Sequence, residues 1–213
     1  MRALYQHLAA AYGEQHWWPA DTGFEVMVGA ILTQNTAWTN VERALARLQA
    51  RIRLSPEAVL GLAEPALAEL IRPCGYYNLK ARRLRGFCAA LIEAGGEAAL
   101  AAMPTEPLRR WLLGINGIGP ETADDILLYA FERPVFVVDA YTRRLFRRLG
   151  TIDGDAGYEQ IRQRVEAALG PDTACFNAYH ALIVRHAKAV CRARKPACDL
   201  CALRRRCQQR GGD

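Results

Sequence analysis

The sequence predicts an all-α fold, and three observations carry that prediction. Strand signals are nearly absent from the 213 residues. Apolar side chains recur instead at three- and four-residue spacing, the period of a helix with one buried face. Proline and glycine interrupt these recurrences at Pro56, Pro73-Cys74-Gly75, Gly95-Gly96, Pro104 and Gly170-Pro171. In chain order the stripes are Phe24, Met27, Val28 and Ile31; then Leu67, Leu70 and Ile71; then Leu84, Phe87, Cys88 and Leu91; then Ile126, Leu127 and Ala130. About ten short helices are expected from this pattern. The one β-like run, Val135–Val138, is short and serves equally well as a buried connector.

Hydrophobic residues make up 51% of the chain, ample for the core of one large domain or two small ones. No stretch approaches the length of a membrane span, and Met1–Ala10 lacks the basic-then-apolar plan of a signal peptide. A cytoplasmic location without membrane partners is therefore expected. In that compartment the seven cysteines are thiols or metal ligands rather than disulfides. The net charge of +6 is localised: residues 134–213 carry 15 Lys/Arg against 8 Asp/Glu, while residues 1–133 carry 13 against 14. A charge kept for solubility would spread more evenly, so the C-terminal part is expected to face nucleic acid.

Two segments carry chemistry. In Leu112–Ala123 the glycines at 114, 117 and 119 let two helices meet at a tight turn, the second beginning near Pro120, a favoured first helical residue. Backbone N–H groups of Gly117, Gly119 and the helix N-terminus would then point at one phosphate. A plain connector is the commoner use of such a turn. Twenty residues past Gly119, Asp139 ends the apolar run VVD and opens another helix, as an N-cap, a catalytic group or both.

The second segment is CRARKPACDLCALRRRC, which spaces Cys191, Cys198, Cys201 and Cys207 as C-x6-C-x2-C-x5-C. Four thiolates in one short loop suit either tetrahedral zinc or an iron–sulfur cluster. Zinc folds more often pair two C-x2-C knuckles, and this chain has one. Arg192, Arg194, Lys195, Arg204, Arg205, Arg206 and Arg210 lie in or just after the loop, where a metal centre would fix those cations against a phosphate backbone. Cys74, Cys88 and Cys175 sit in apolar helical contexts and are expected in the core.

The G-I-G hairpin, the V-V-D twenty residues on and the terminal four cysteines together resemble the endonuclease III branch of the helix-hairpin-helix DNA glycosylases. The resemblance covers almost the whole chain. It implies a six-helix barrel at 23–133, with the helix-hairpin-helix at about 112–123. The barrel would pack on a domain built from 1–22 and 134–213 that carries a 4Fe-4S cluster on Cys191, Cys198, Cys201 and Cys207. It implies double-stranded DNA with a damaged base as partner, the damaged nucleotide flipped into the cleft between the domains. A monomer associated with the nucleoid is expected. Residues 31–36, ILTQNT, and 75–84, GYYNLKARRL, resemble the family's two intercalating loops, making Gln34 and Tyr76 the candidate wedges. Asp139 matches the catalytic aspartate.

One position departs from the pattern. The bifunctional members have a lysine where this chain has Glu121, and a carboxylate cannot form a Schiff base with the sugar. The only lysines are Lys80, Lys188 and Lys195, none of them in the hairpin. A monofunctional glycosylase that uses water is the direct expectation.

QHWWPADTGFEVMVGAILTQNTAW, with Trp17, Trp18, Pro19 and Trp38, is similar to a smaller subgroup, the 3-methyladenine DNA glycosylases III. That subgroup also has an acidic hairpin residue, as at Glu121, and a late-helix lysine, as at Lys188. The likeness implies that these aromatics sandwich an alkylated purine, a cationic base that stacks well on indole. This chain departs from the subgroup in having the four cysteines. The alternatives are an endonuclease III-like glycosylase and lyase for oxidised or mismatched pyrimidines, and a non-catalytic binder of DNA structure.

Overall fold

The computed structural model describes residues 1–15 and 17–209; Arg210 lies outside them. Among the described residues there are twelve α-helices, three short 3-10 turns and no strand. The helices divide between two compact units, Met1–Pro19 with Glu132–Asp213, and Ala20–Phe131. No helix of the described residues is long and apolar enough to cross a membrane.

The Ala20–Phe131 unit holds α2 (Gly23–Leu32), α3 (Trp38–Arg51), α4 (Pro56–Gly61), α5 (Glu64–Leu70), α6 (Tyr77–Glu93), α7 (Gly96–Ala101), α8 (Thr105–Leu113) and α9 (Pro120–Tyr129). Helix α2 starts where the Thr22 hydroxyl accepts the Glu25 N–H, a hydrogen bond that meets one of the unpaired first-turn donors. Phe24 and every residue from Val26 to Leu32 are buried, so α2 is an interior helix packed by α3, α6 and α9 rather than a one-faced one. The long helix α6 lays Ala81, Leu84, Phe87, Cys88 and Leu91 against its neighbours α4 and α5. Of the expected apolar positions, Leu70 and Ala130 are only half-buried, because each sits where its helix ends.

The other unit holds α1 (Arg2–Tyr12), α10 (Ala140–Arg148), α11 (Tyr158–Leu169) and α12 (Thr173–Ala189). Helix α12 packs against α1 and α10 around Tyr179, whose ring meets Tyr5, Phe136 and Phe146 at centroid separations of 5.5, 5.6 and 6.2 Å. Val135–Val138 is a buried connector. Two of its donors are met by α11 side chains: the Phe136 N–H donates to Glu166 Oε1 at 2.9 Å, and the Val138 N–H to the Tyr158 hydroxyl at 3.3 Å. Cys74 and Cys88 are buried as expected. Cys175 is not: it lies in the first turn of α12, half-exposed, where a helix start leaves one side open.

Candidate active site and nucleic-acid interface

In the Ala20–Phe131 unit the hairpin joins α8 to α9. Gly117 has φ +88°, the left-handed region that costs a side chain about 1–2 kcal/mol. A Cβ there would also stand 2.5 Å from Arg83 Cδ and Nε. Gly119 is extended and has no side chain to cap α9, and Pro120 takes the first helical position; the positive end of the helix dipole lies at this turn. A buried ion pair braces the turn from below: Arg109 Nε donates to Asp124 Oδ1 at 2.7 Å and Arg109 NH2 to Oδ2 at 3.1 Å, tying α8 to α9. Glu121 lies exposed in the first turn of α9, where a carboxylate also complements the helix dipole.

The two candidate wedges differ. Tyr76, at φ +46° before α6, is 73% exposed and stands clear of the surface. Gln34 is half-buried and its amide is fully used: Nε2 donates to the Gly117 carbonyl at 2.9 Å and to Thr122 Oγ1 at 3.0 Å, and Oε1 accepts from Arg83 at 2.7 Å. The free side chain at that loop tip is the next residue, Asn35, exposed and left-handed at φ +53°. Trp38 opens α3, half-buried.

In the other unit Asp139 is the N-cap of α10. Its Oδ1 accepts the Thr142 N–H at 2.7 Å, and its Oδ2 lies 3.5 Å from His180 Nε2 of α12. Burial pushes its pKa up, but the hydrogen bond and charge of His180 and the Thr142 N–H outweigh this and hold the carboxyl below its ordinary value. The carboxylate is thus ionised and oriented at both oxygens. His180 carries no sequence signal, being a lone histidine on an apolar helix face. Trp17 meets the same histidine edge-on at 6.3 Å, and Trp18 follows at φ +63°, with Pro19 exposed. The Lys188 ammonium stands 5.8 Å from the ring centroids of both Trp17 and Tyr141. Tyr141 is a second residue missed in the sequence.

All four terminal cysteines line one cavity of about 1270 Å³. No three His, Cys, Asp or Glu side chains among the described residues converge closely enough for one metal ion, so the sulfurs ring a space rather than a point. Two helices hold the loop. From α10, Arg148 NH1 donates to Cys191 Sγ at 3.3 Å and to the Arg192 carbonyl at 2.7 Å, while Arg144 Nε donates to the Cys191 carbonyl at 3.0 Å. From α12, His186 Nε2 lies 3.5 Å from Cys201 Sγ, its Nδ1 being 2.7 Å from the Tyr12 hydroxyl. The Cys201 thiol is pushed up by burial and by the neighbouring Cys191, Cys207 and Cys198. Four cysteine sulfurs lining one cavity, with a guanidinium on one of them, suit a polynuclear cationic core, whose binding would displace the thiol protons. Arg192, Arg194, Lys195 and Arg204–Arg206 are exposed around it, Arg204 pairing with Asp199 at 2.8 Å.

Residues 28–171 match the HhH-GPD superfamily of base excision DNA repair proteins. The chain belongs to that superfamily. Its relatives there include MJ1434 of Methanocaldococcus jannaschii, whose name gives it provisionally as a DNA repair glycosylase, 49% identical over 96% of this chain and 94% of that protein. Endonuclease III of Escherichia coli is 29% identical over 87% of this chain and 83% of its own length. A solved non-covalent endonuclease III–DNA complex superposes with a TM-score of 0.85 over 98% of this chain and 94% of the other; at 23% identity that likeness speaks to the fold. The 3-methyladenine DNA glycosylase MagIII of H. pylori, solved with 1,N6-ethenoadenine bound, is 28% identical with a TM-score of 0.73 over 87% of this chain and 96% of its own. The superfamily makes the chain an endonuclease III-like base excision DNA glycosylase.

Proposed function

We propose that this glycosylase is monofunctional and hydrolyses the N-glycosidic bond of alkylated purines in duplex DNA. The observation that carries the proposal is the fate of the amines. The Ala20–Phe131 unit, which contains the hairpin, has one lysine, Lys80, and both recorded hydrogen bonds of its buried ammonium go to backbone carbonyls. The hairpin helix offers Glu121 instead. With a carboxylate at the hairpin position where bifunctional members carry a lysine, we assign attack on the sugar carbon to water.

Asp139 then has two tasks. Its charge stabilises the positive charge that develops on the sugar as the bond to the base breaks, and the same oxygens accept the proton of the attacking water. The electron pair of the broken bond passes to the cationic purine, which leaves neutral, and an abasic site remains. Such a leaving group needs no strong general acid. His180 and Thr142 keep the carboxylate ionised and aimed.

The choice of alkylated purines rests on the W-W-P segment and on likeness to MagIII with its bound ethenoadenine. On the resemblance to the 3-methyladenine subgroup, Trp18, Pro19, Trp38, Lys188 and Glu121 are assigned to the base. Lys188 over Trp17 and Tyr141 supports the assignment, since rings that hold one cation suit another. The hairpin N–H groups of Gly117 and Gly119, with Arg192, Arg194 and Lys195, are assigned to phosphates, and Cys191, Cys198, Cys201 and Cys207 to a 4Fe-4S cluster, which would lock the loop that presents those cations. A second reading, release of oxidised or mismatched pyrimidines with strand cleavage, is favoured by the many relatives named endonuclease III. Base release from duplexes carrying methylated, oxidised or mismatched bases tests the choice. Release of methylated purines first supports the proposal, and release of oxidised pyrimidines alone would refute it.

A further inference from the structure

Lys80 is the fourth residue of α6, close behind the exposed Tyr76, yet it is 2% exposed. Taking an ammonium out of water costs several kcal/mol unless its hydrogen bonds are replaced. Nζ makes two: it donates to the Leu32 carbonyl at 2.9 Å and to the Cys74 carbonyl at 2.8 Å. Both acceptors are special. Leu32 is the last residue of α2, so its carbonyl has no partner within the helix, and Cys74 closes the 3-10 turn Arg72–Cys74.

Their positions matter more than their chemistry. Leu32 roots the loop whose tip is Asn35, and Cys74 roots the loop whose tip is Tyr76. Both tips are non-glycine residues in the left-handed region, at φ +53° and +46°, a conformation that persists only where the surroundings enforce it. The sequence gives the loops no direct link, being separated by α3, α4 and α5. One buried cation ties their roots together. A methionine would fill the same volume more cheaply, and would leave both carbonyls unpaired and the roots unlinked.

We propose that Lys80 is a positioning residue for base extrusion: it fixes the separation of the two loops, so that the residues around Gln34–Asn35 and Tyr76 enter the duplex together. The proposal rests on the glycosylase reading above. Gln34, latched to the hairpin through Gly117 and Thr122, ties this pair of loops to the phosphate-binding turn as well.

The test compares Lys80→Met and Lys80→Arg with the parent protein in single-turnover base release. One substrate carries an alkylated purine in duplex DNA, the other the same lesion in a single strand, where nothing need be unstacked. Lys80→Met should lose about tenfold or more on the duplex and little on the single strand, because only the duplex demands extrusion. Lys80→Arg, which keeps a cation and its donors, should recover most of the loss. Equal losses on both substrates, or none on either, would overturn the proposal. Should Lys80→Met fail to fold, Lys80→Gln carries the same duplex-to-single-strand comparison. Fluorescence of 2-aminopurine beside the lesion reads extrusion without catalysis. Undiminished fluorescence in a folded variant overturns the role of Lys80, whereas a parent protein that extrudes and releases nothing overturns the glycosylase reading instead.

Discussion

Asp139 is gripped at both oxygens, by the Thr142 N–H and by His180, and that grip gives it two measurable properties. Asp139→Asn keeps the size and some capping ability without the charge. Lesion binding should persist, while base release falls by about 10²-fold or more, the scale for losing one preorganised electrostatic group. The second property is a pH slope. The native carboxyl titrates below its ordinary value of 3.8, so the unfolded chain takes up this proton first as pH falls. The stabilisation is full above the ordinary value and is lost as pH drops through the depressed one. Thermal midpoints measured from neutral to strongly acidic pH should show less of this acid loss in Asp139→Asn. Asp139 was legible in the sequence because an apolar run stops at it and a helix begins. His180 was not, since a single histidine on a buried helix face carries no spacing to read. Lys80 was legible only as a lysine outside the hairpin; its two carbonyl partners are set by tertiary contact.

At the scale of elements, the glycine spacing of the hairpin is the most readable signal. The hairpin glycines placed the start of α9 at Pro120, because backbone geometry at φ +88° leaves few alternatives. Helix count was less legible: α4, α5 and α7 have six or seven residues each, too few for a stripe to declare itself. Val135–Val138 stayed ambiguous for a physical reason, since a buried connector and a strand share the same apolar run. Two of its donors turn to α11 side chains that no local pattern announces. The 3-10 turn Arg204–Arg206 offers the element-scale prediction. With these arginines exposed beside Arg192, Arg194 and Lys195, affinity for undamaged duplex should fall steeply with salt as counterions are released. Replacing all three by glutamine should flatten the slope of log affinity against log salt by about 2–3. An unchanged slope places the DNA surface elsewhere.

For the whole molecule, charge and composition set the class of partner, and superfamily membership over residues 28–171 gives the chemistry. The cysteine loop predicts a coloured protein: prepared without air it should be yellow-brown and contain about four iron and four sulfide per chain, the content of a cubane held by four thiolates. Stoichiometric zinc without iron would make the loop a zinc knuckle. Arg148, donating to Cys191 Sγ from the helix that Asp139 caps, joins the cysteine loop to the Asp139 segment within one unit. The most direct measurement of the central claim, that water is the nucleophile, uses duplex DNA with one methylated purine and sodium borohydride. The strand should stay intact after base release and break only on alkali treatment, with no protein–DNA adduct trapped by borohydride. A trapped adduct that disappears in Lys188→Ala would contradict the claim, showing a lyase that works through a relocated amine.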